Sequence, residues 1–493
     1  AFRKENPDYV FSVISKDDIA DCIAFADLWC EMKGQNAEGL RCELCALEEA
    51  LKNFDILNIR GALIRINGAV QAFTIGEKYN KDMAVIHFEK ANPEIRGLYT
   101  VINQDFCAKV WNDVEYLWDY YIEKKDLYFY KWYFKEYCLK QNAVLGGFNK
   151  QGVLSTMVHL NPYTLKLRGM EAVTSYLVGV ATDPAARGRR ATKELFEMAF
   201  AILKAQGRFF VILMPEYAGV YLPYQFAFVY SKHRYELPLR TLSLGEVDDS
   251  IELERVKNIN DFTEFSNLYE SFMQKYNGFV VRSEREWRNF WAVFINESGE
   301  AAIAYRGDMP VGYMLYQRAD KVFKIVEMVH IDADVKKCFL RYARQHVAQC
   351  DKLEWLAEAD DLTYLHFQDQ SHCGSVFPFM MARIIDARKA LELLPLNNVH
   401  KEGSLTILIT DDLIKSNNML LNLNIGNKAI IIEDTFNLPD IEMDISAFTQ
   451  LYFGQFSLSE LAAEGTIAVH SEDAGLLLSD VLPKCNNYIN EYY

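Results

Sequence analysis

The chain has 493 residues, half of them hydrophobic and 24% charged, which is a globular composition too long for a single core. A net charge of −16 argues against a nucleic-acid track, and no apolar run approaches the roughly 18 residues a membrane span needs. Ten cysteines in no regular framework suggest reduced thiols and a cytoplasmic setting, and Ala1-Phe-Arg-Lys-Glu5 lacks the apolar region of a signal peptide.

In chain order, residues 1–110 open on helical spacing through Ile19, Cys22, Ile23, Phe25, Ala26 and Trp29. A second helix is expected over 40–54, where Cys42 and Cys45 read as packing residues before zinc or redox ligands. Asn67-Gly68 between two apolar runs marks a hairpin. A strand at 83–88 and a helix at 99–110 follow, with His87 and Glu89 on one side of the strand. Residues 111–135 are dense in Trp, Tyr and Phe and are expected as a helical stripe, either packed on a sheet or walling a cationic ligand. Strands at 143–149 and 153–160 precede Tyr176–Thr182, a β-branched strand stopped by Asp183-Pro184.

Beyond that proline, Arg187, Arg189 and Arg190 lead into helical spacing at Leu195, Phe196, Met198, Ala199, Ile202 and Leu203. A basic turn at a helix N-terminus is a grip for pyrophosphate, because free N–H groups and the helix dipole both favour an anion. Residues 111–248 hold 17 Lys and Arg against 14 Asp and Glu, whereas 399–493 hold 4 against 14. The one basic segment is the one that carries the turn. Strands are expected again at 209–214, 301–305, 311–316 and 324–330, with helices at 262–272 and 335–350. Residues 402–493 alternate strands with a helix at 445–453 and a last one interrupted near Pro483. His366 and His372 beside Asp369 and Cys373 are read as a packing loop rather than a metal site. The order of elements gives an α/β (α+β) class with mixed sheets.

Arg187-Gly188-Arg189-Arg190-Ala191-Thr192 after a strand resembles motif A of the Gcn5-related N-acetyltransferases (GNAT), except that Arg190 stands at the motif's key glycine. The resemblance implies that Arg187, Gly188, Arg189, Arg190 and Ala191 hold the pyrophosphate of acetyl-CoA and that Val180, Ala181 and Thr182 line its pantetheine arm. Met157–Tyr163, Val178–Thr182, Leu213-Met-Pro215 and Val220-Tyr221 resemble the enhanced intracellular survival (Eis) family, with two tandem GNAT-like domains and a sterol-carrier-protein-like domain. That implies Tyr221 as general acid toward the thiolate and the carboxylate of Tyr493 as base; read from the residues alone, Tyr221 is equally a core aromatic and Tyr493 a frayed end. Gln225 stands where the family has a glycine. Phe73–Glu77, Val85–Ala91 and Gly97–Phe106 resemble the C-terminal region of phosphatidylglycerol lysyltransferase, as half a domain.

The expected division is 1–110 (the half-domain), 111–248 (GNAT with the acetyl-CoA motif), 249–398 (a second GNAT-like domain) and 399–493. In the second domain Ile331-Asp-Ala-Asp334 replaces the basic turn and would repel pyrophosphate, so no cofactor is expected there. The expected activity is acetyl transfer from acetyl-CoA to a primary amine, aminoglycoside-like, polyamine or lysine side chain. No metal, nucleic-acid partner or membrane span is expected, and a homo-oligomer stays open. Two alternatives stand beside it: a non-catalytic scaffold of degenerate acyltransferase domains, and an aminoacyl-tRNA-dependent transferase.

Overall fold

The computed structural model describes residues 2–32, 47–54, 56–57, 59–78, 83–111, 116–119, 132–133, 142–148, 154–183, 190–242, 244–256, 261–367, 374–396, 399–426 and 429–492. It divides into two compact units, Ala1–Lys131 with Phe148–Leu154, and Trp132–Gly147 with Ser155–Tyr493.

The first unit is a five-stranded sheet in the order β1 (Val10–Val13), β2 (Ile59–Ile66), β3 (Ala69–Lys78), β4 (Met83–Ala91), β5 (Tyr116–Asp119). The β2–β3 hairpin turns on Asn67 (φ 53°) and Gly68 (φ 82°), both left-handed as a type I′ turn requires. Helix α1 (Ile19–Met32) lays Cys22, Phe25 and Ala26 on Leu63, Phe73 and Ile75. Helix α2 (Leu98–Val110) lays Leu98 and Ile102 on Ile64 and Ala72, the opposite face, because neighbouring strand residues point apart. The expected helical stripe over 111–135 is corrected at Tyr116–Asp119, which form a strand pairing parallel with Met83–Ile86. Aromatic residues suit a pleated edge as well as a helix face. Residues 120–131 and the Cys42/Cys45 pair lie outside the described residues. His87 sits at a register shift of β4 and its Nε2 is 3.1 Å from Glu77, whereas buried Glu89 accepts from Asn103 at 3.3 Å, so the two do not act as a pair.

The second unit holds three sheets. Its strands are β6 (Ala143–Phe148), β7 (Leu154–Leu167), β8 (Met170–Thr182), β9 (Phe210–Leu213), β10 (Ala227–Phe228), β11 (Ser231–Pro238), β12 (Ile251–Val256) and β13 (Phe279–Val280). There follow β14 (Gly299–Arg306), β15 (Met309–Ala319), β16 (Val322–His330), β17 (Lys352–Glu358), β18 (Gly374–Pro378) and β19 (Met381–Ile384). The last five are β20 (Gly403–Thr410), β21 (Met419–Ile425), β22 (Ile430–Asp434), β23 (Ile441–Asp444) and β24 (Ile467–Val469). The sheets run β10-β19-β9-β8-β7-β13, with β6 beside β7; β12-β14-β15-β16-β17-β11-β18; and β22-β21-β20-β23-β24. The first two sheets exchange strands: β11 leaves the early segment for the second sheet, while β13 and β19 return to the first.

Both faces of the first sheet are buried, which accounts for the unbroken apolar runs in its strands. Leu160, Leu177, Val211 and Leu213 meet helix α3 (Ala191–Ala205) through Leu195, Phe196, Ala199 and Phe200. Tyr176, Phe210, Ile212 and Ile384 form one core with the C-terminal domain, Phe210 lying edge-on to Phe453 at 5.4 Å. That domain is therefore a wall of the first sheet's own core. No helix among the described residues is long and apolar enough to cross a membrane.

Candidate active site

Strand β8 changes character after Tyr176. Its parallel pairing with β9 is confined to Ser175↔Val211 and Tyr176↔Ile212, so no strand covers residues 177–182 on that side among the described residues. On the other side His159 faces Val178 and Met157 faces Ala181, so Gly179 and Val180 stand opposite Val158 alone. This is a β-bulge, and Gly179 adopts φ 59° within it. A Cβ on Gly179 would sit 3.3 Å from the ring of His159, a tight approach that adds to the preference for glycine set by φ. The bulge splays β8 from β9 and turns an open strand edge into a cleft, with Val180 half-buried and Ala181 exposed.

Helix α3 starts where the strand ends. The Thr182 hydroxyl bridges Thr156 (2.9 Å) and Thr192 (2.8 Å), tying the strand end to the first helical turn. Thr192, where the motif usually has Gly or Ala, is thus a tie. Arg190 is the N-cap at φ 65°, and its side chain makes no capping hydrogen bond among the described residues. Arg190 holds the glycine's conformation without being one, at a cost of about 1–2 kcal/mol. Arg187, Gly188 and Arg189 lie outside the described residues. Arg190→Gly is expected to leave unfolding free energy within about 0.5 kcal/mol, because strain relief offsets the freedom glycine adds to the unfolded chain. Arg190→Val is expected to lose about 1 kcal/mol or more, since a β-branched residue resists the left-handed region. Equal losses in urea unfolding for both would refute this account of the turn.

The second sheet repeats the arrangement with its cleft filled. Strands β16 and β17 pair in parallel only from Val322↔Lys352 to Ile325↔Trp355. Helix Ala333–Arg344 follows, but its N-cap Asp332 accepts from the amides of Asp334 (3.1 Å) and Val335 (3.0 Å) and also pairs with Arg306 (3.1 Å). The chain's own carboxylate occupies the amides that a phosphate would need. Just past the last paired residue of β16, Asn490 donates to the Val326 carbonyl (3.1 Å) and to Glu327 (2.9 Å).

Asn490 belongs to a C-terminal tail that threads through the core. Tyr488, Ile489 and Asn490 are almost fully buried, and Tyr488 N–H donates to the Asn277 carbonyl at 3.1 Å. Arg282 binds Glu327 through two bonds of 2.8 Å and Glu491 through a third of 2.8 Å. Burial pushes both carboxyls up; the two-pronged contact and further donors bring Glu327 below its ordinary value, whereas Glu491, with one prong, stays above it. Lys232 of β11 donates to Tyr492 (2.7 Å) and Asn490, its Nζ lying 4.6 Å from the Phe379 and Tyr492 ring centres. Burial pulls its pKa down to about 7 against the attraction of Glu358, Glu327 and Glu491.

Tyr221 sits between two short turns, Ala218–Val220 and Leu222–Tyr224. Its ring packs on Phe226 (5.8 Å) and near Phe196 of α3 (6.4 Å), and burial raises its pKa above the usual phenol value. Gln225, closing the second turn, is left-handed at φ 58°. Both residues that replace a motif glycine thus keep the glycine's backbone. Burial first, and the Glu491 carboxylate next, hold Tyr176 well above the ordinary phenol range. Tyr221 shares its apolar cluster with Val180 of the open β8 edge. Tyr493 lies outside the described residues, as do Asp369, His372 and Cys373; among the described residues no metal-ligating cluster occurs.

Lys232, Arg282, Glu327, Glu491 and Arg383 were not singled out from sequence. The signal was available for one of them, since Arg383 is a lone charge inside an apolar strand, a pattern that demands a buried partner.

Four family models match the chain: phosphatidylglycerol lysyltransferase, C-terminal, at residues 1–118; acetyltransferase (GNAT) domains at 107–229 and 278–384; and a sterol carrier protein domain at 387–489. No curated protein matches the chain. Among solved structures, a conserved protein of unknown function from Enterococcus faecalis V583, described as a probable N-acyltransferase, is 18% identical with TM-score 0.66. A GCN5-related N-acetyltransferase from Anabaena variabilis is 19% identical with TM-score 0.64; each alignment covers 75% of this chain and 94% of the other. Eis1 from Mycobacterium abscessus is 16% identical with TM-score 0.57, over 71% of this chain and 90% of its own. The chain therefore has an acyltransferase fold of Eis-like make-up: a lysyltransferase-related N-terminal region, tandem GNAT domains with mixed sheets, and a sterol-carrier-type C-terminal domain.

Proposed function

We propose that the chain is an acetyl-CoA-dependent N-acetyltransferase acting on a primary amine, with residues 111–248 as its catalytic domain. The observation that carries this reading is the contrast between the two clefts. Among the described residues the first joins an unpaired β8 edge to a helix start whose cap residue, Arg190, makes no side-chain capping bond and follows further arginines in sequence, whereas the second has Asp332 in its helix start and Asn490 in its strand gap. Backbone groups of Val180, Ala181 and Thr182 would receive the pantetheine amides, and the turn from Arg187 to Ala191 the pyrophosphate.

The chemistry follows from what surrounds that edge. Attack of a neutral amine on the thioester carbonyl forms the C–N bond; collapse of the tetrahedral intermediate breaks C–S and leaves a thiolate needing a proton. Tyr221 donates it, and burial keeps the phenol protonated at neutral pH. The Tyr493 carboxylate, next to the seated Tyr492, would take the amine's proton directly or through water. The chain's net charge of −16 favours a cationic acceptor such as a polyamine, an aminoglycoside-like molecule or a lysine side chain.

Calorimetric titration with acetyl-CoA, followed by thiol release with spermidine, kanamycin and a lysine peptide, tests the reading. One-site binding and turnover of one acceptor are expected. Absence of acetyl-CoA binding would instead favour a non-catalytic scaffold.

A further inference from the structure

Gln225 does more than hold a glycine's conformation. Its Oε1 accepts the backbone N–H of Asp412 at 2.8 Å, reaching from the turn behind Tyr221 into the C-terminal domain. One residue earlier, the Tyr224 carbonyl accepts from Arg383 Nε at 2.7 Å. Arg383 is fully buried on β19, and its Nη2 donates to Asp411 at 2.7 Å, that carboxylate being fully buried too. Asp411 also accepts from the amides of Leu413 (2.8 Å) and Ile414 (2.7 Å) and from Asn417 Nδ2 (2.9 Å), so four donors converge on the buried carboxylate. Leu413 and Ile414 then join the apolar cluster in which Phe196, Tyr221 and Tyr224 pack.

From this we propose that Gln225 and Arg383 are positioning residues: they tether the turn bearing Tyr221 to the Asp411–Asn418 loop of the C-terminal domain, which thereby sets the proton donor's place over the β8 cleft. The proposal rests on Tyr221 being that donor. It assigns the sterol-carrier-type domain a role in the acyl-transfer site, carried by two short contacts on adjacent residues, 224 and 225. The buried Arg383–Asp411 pair supplies the rigidity, because a charge-assisted bond to a carboxylate that three further donors hold in place leaves it little freedom. Gln225 supplies the tether that a glycine in its place would lack.

The test uses Gln225, which is half-buried, since an Arg383 variant could fail to fold. In the whole 493-residue chain Gln225→Ala removes the acceptor but keeps a left-handed Cβ, and Gln225→Glu restores an oxygen at the same reach. Hydrogen exchange is expected to quicken over 218–226 in Gln225→Ala and return toward the parent in Gln225→Glu. With acetyl-CoA and an accepted amine, Gln225→Ala is expected to lose roughly tenfold in kcat, with KM for acetyl-CoA unchanged, because a small displacement of a reacting group is costly. In a Tyr221→Phe background the same substitution is expected to change kcat less than twofold, since it acts through a hydroxyl already removed. Unchanged exchange over 218–226, unchanged kcat, or full additivity with Tyr221→Phe overturns the tether. A Tyr221→Phe variant as active as the parent overturns the proton-donor reading itself, which is a separate result.

Discussion

Tyr221→Phe is expected to lower kcat by about 10²–10³-fold with acetyl-CoA while leaving its KM within twofold. The substitution removes one oxygen and keeps the ring that packs on Phe226 and Phe196. No hydrogen bond to the Tyr221 hydroxyl occurs among the described residues, so the fold loses nothing and the thermal midpoint should stay put. The lost term belongs to departure of the thiolate. A phenol raised by burial is fully protonated through neutral pH, so the parent's activity should show no loss from this group until well into the alkaline range. Steady-state kinetics on both proteins decide it, and parental kcat in the variant sinks the role.

Arg282→Met is the substitution expected to cost most stability, about 3–5 kcal/mol at neutral pH. The guanidinium satisfies Glu327 and Glu491 at once and lies 4.3 Å from the Tyr269 ring centre and 4.8 Å from that of Trp287. Methionine fills the space between those rings but leaves two carboxylates buried without their cation. The sign of the pH dependence follows from the carboxylates. In the parent, Glu327 titrates below its unfolded value, so its stabilisation is present at neutral pH and fades as pH falls through the folded pKa. In the variant the guanidinium no longer opposes burial, both carboxyls rise, and protonation on acidification relieves the strain. The deficit should therefore be larger at pH 8 than at pH 5. Urea unfolding at the two pH values tests this, and an equal deficit at both would show that lost packing, not stranded charge, sets the cost. The C-terminal tail should be the first segment released, because Glu491 and Asn490 both hang on this arginine.

Neither residue's setting could be read from its own neighbourhood in the chain. Tyr221 lies in a run of aromatic and apolar residues that reads equally as core, and what distinguishes it is packing beside Val180 of the β8 edge, 41 positions upstream, and beside Leu413 and Ile414, about 190 downstream. Arg282 pairs with Glu327 and Glu491, 45 and 209 positions away. The helical reading of Tyr116–Asp119 failed for a related reason, since a short aromatic run satisfies either period and the free edge of β4 made the choice.

What the sequence determined by itself was local. Asn67-Gly68 specified the left-handed hairpin turn, Tyr176–Thr182 with Asp183-Pro184 specified a strand that must stop, and helical spacing from Leu195 to Leu203 specified the helix behind it. It also marked the second cleft as hostile to phosphate, through acidic residues at a helix start that became the Asp332 cap. These signals act over a few residues, where turn chemistry and side-chain period leave little choice. The exchange of strands between sheets, the tail laid into the β16–β17 gap and the clamp of Arg383 and Gln225 behind Tyr221 were decided only by tertiary structure. Each depends on a buried polar group finding its partner after chain segments far apart in sequence have packed. Burial makes such a partner obligatory, but only the completed core selects which one it is.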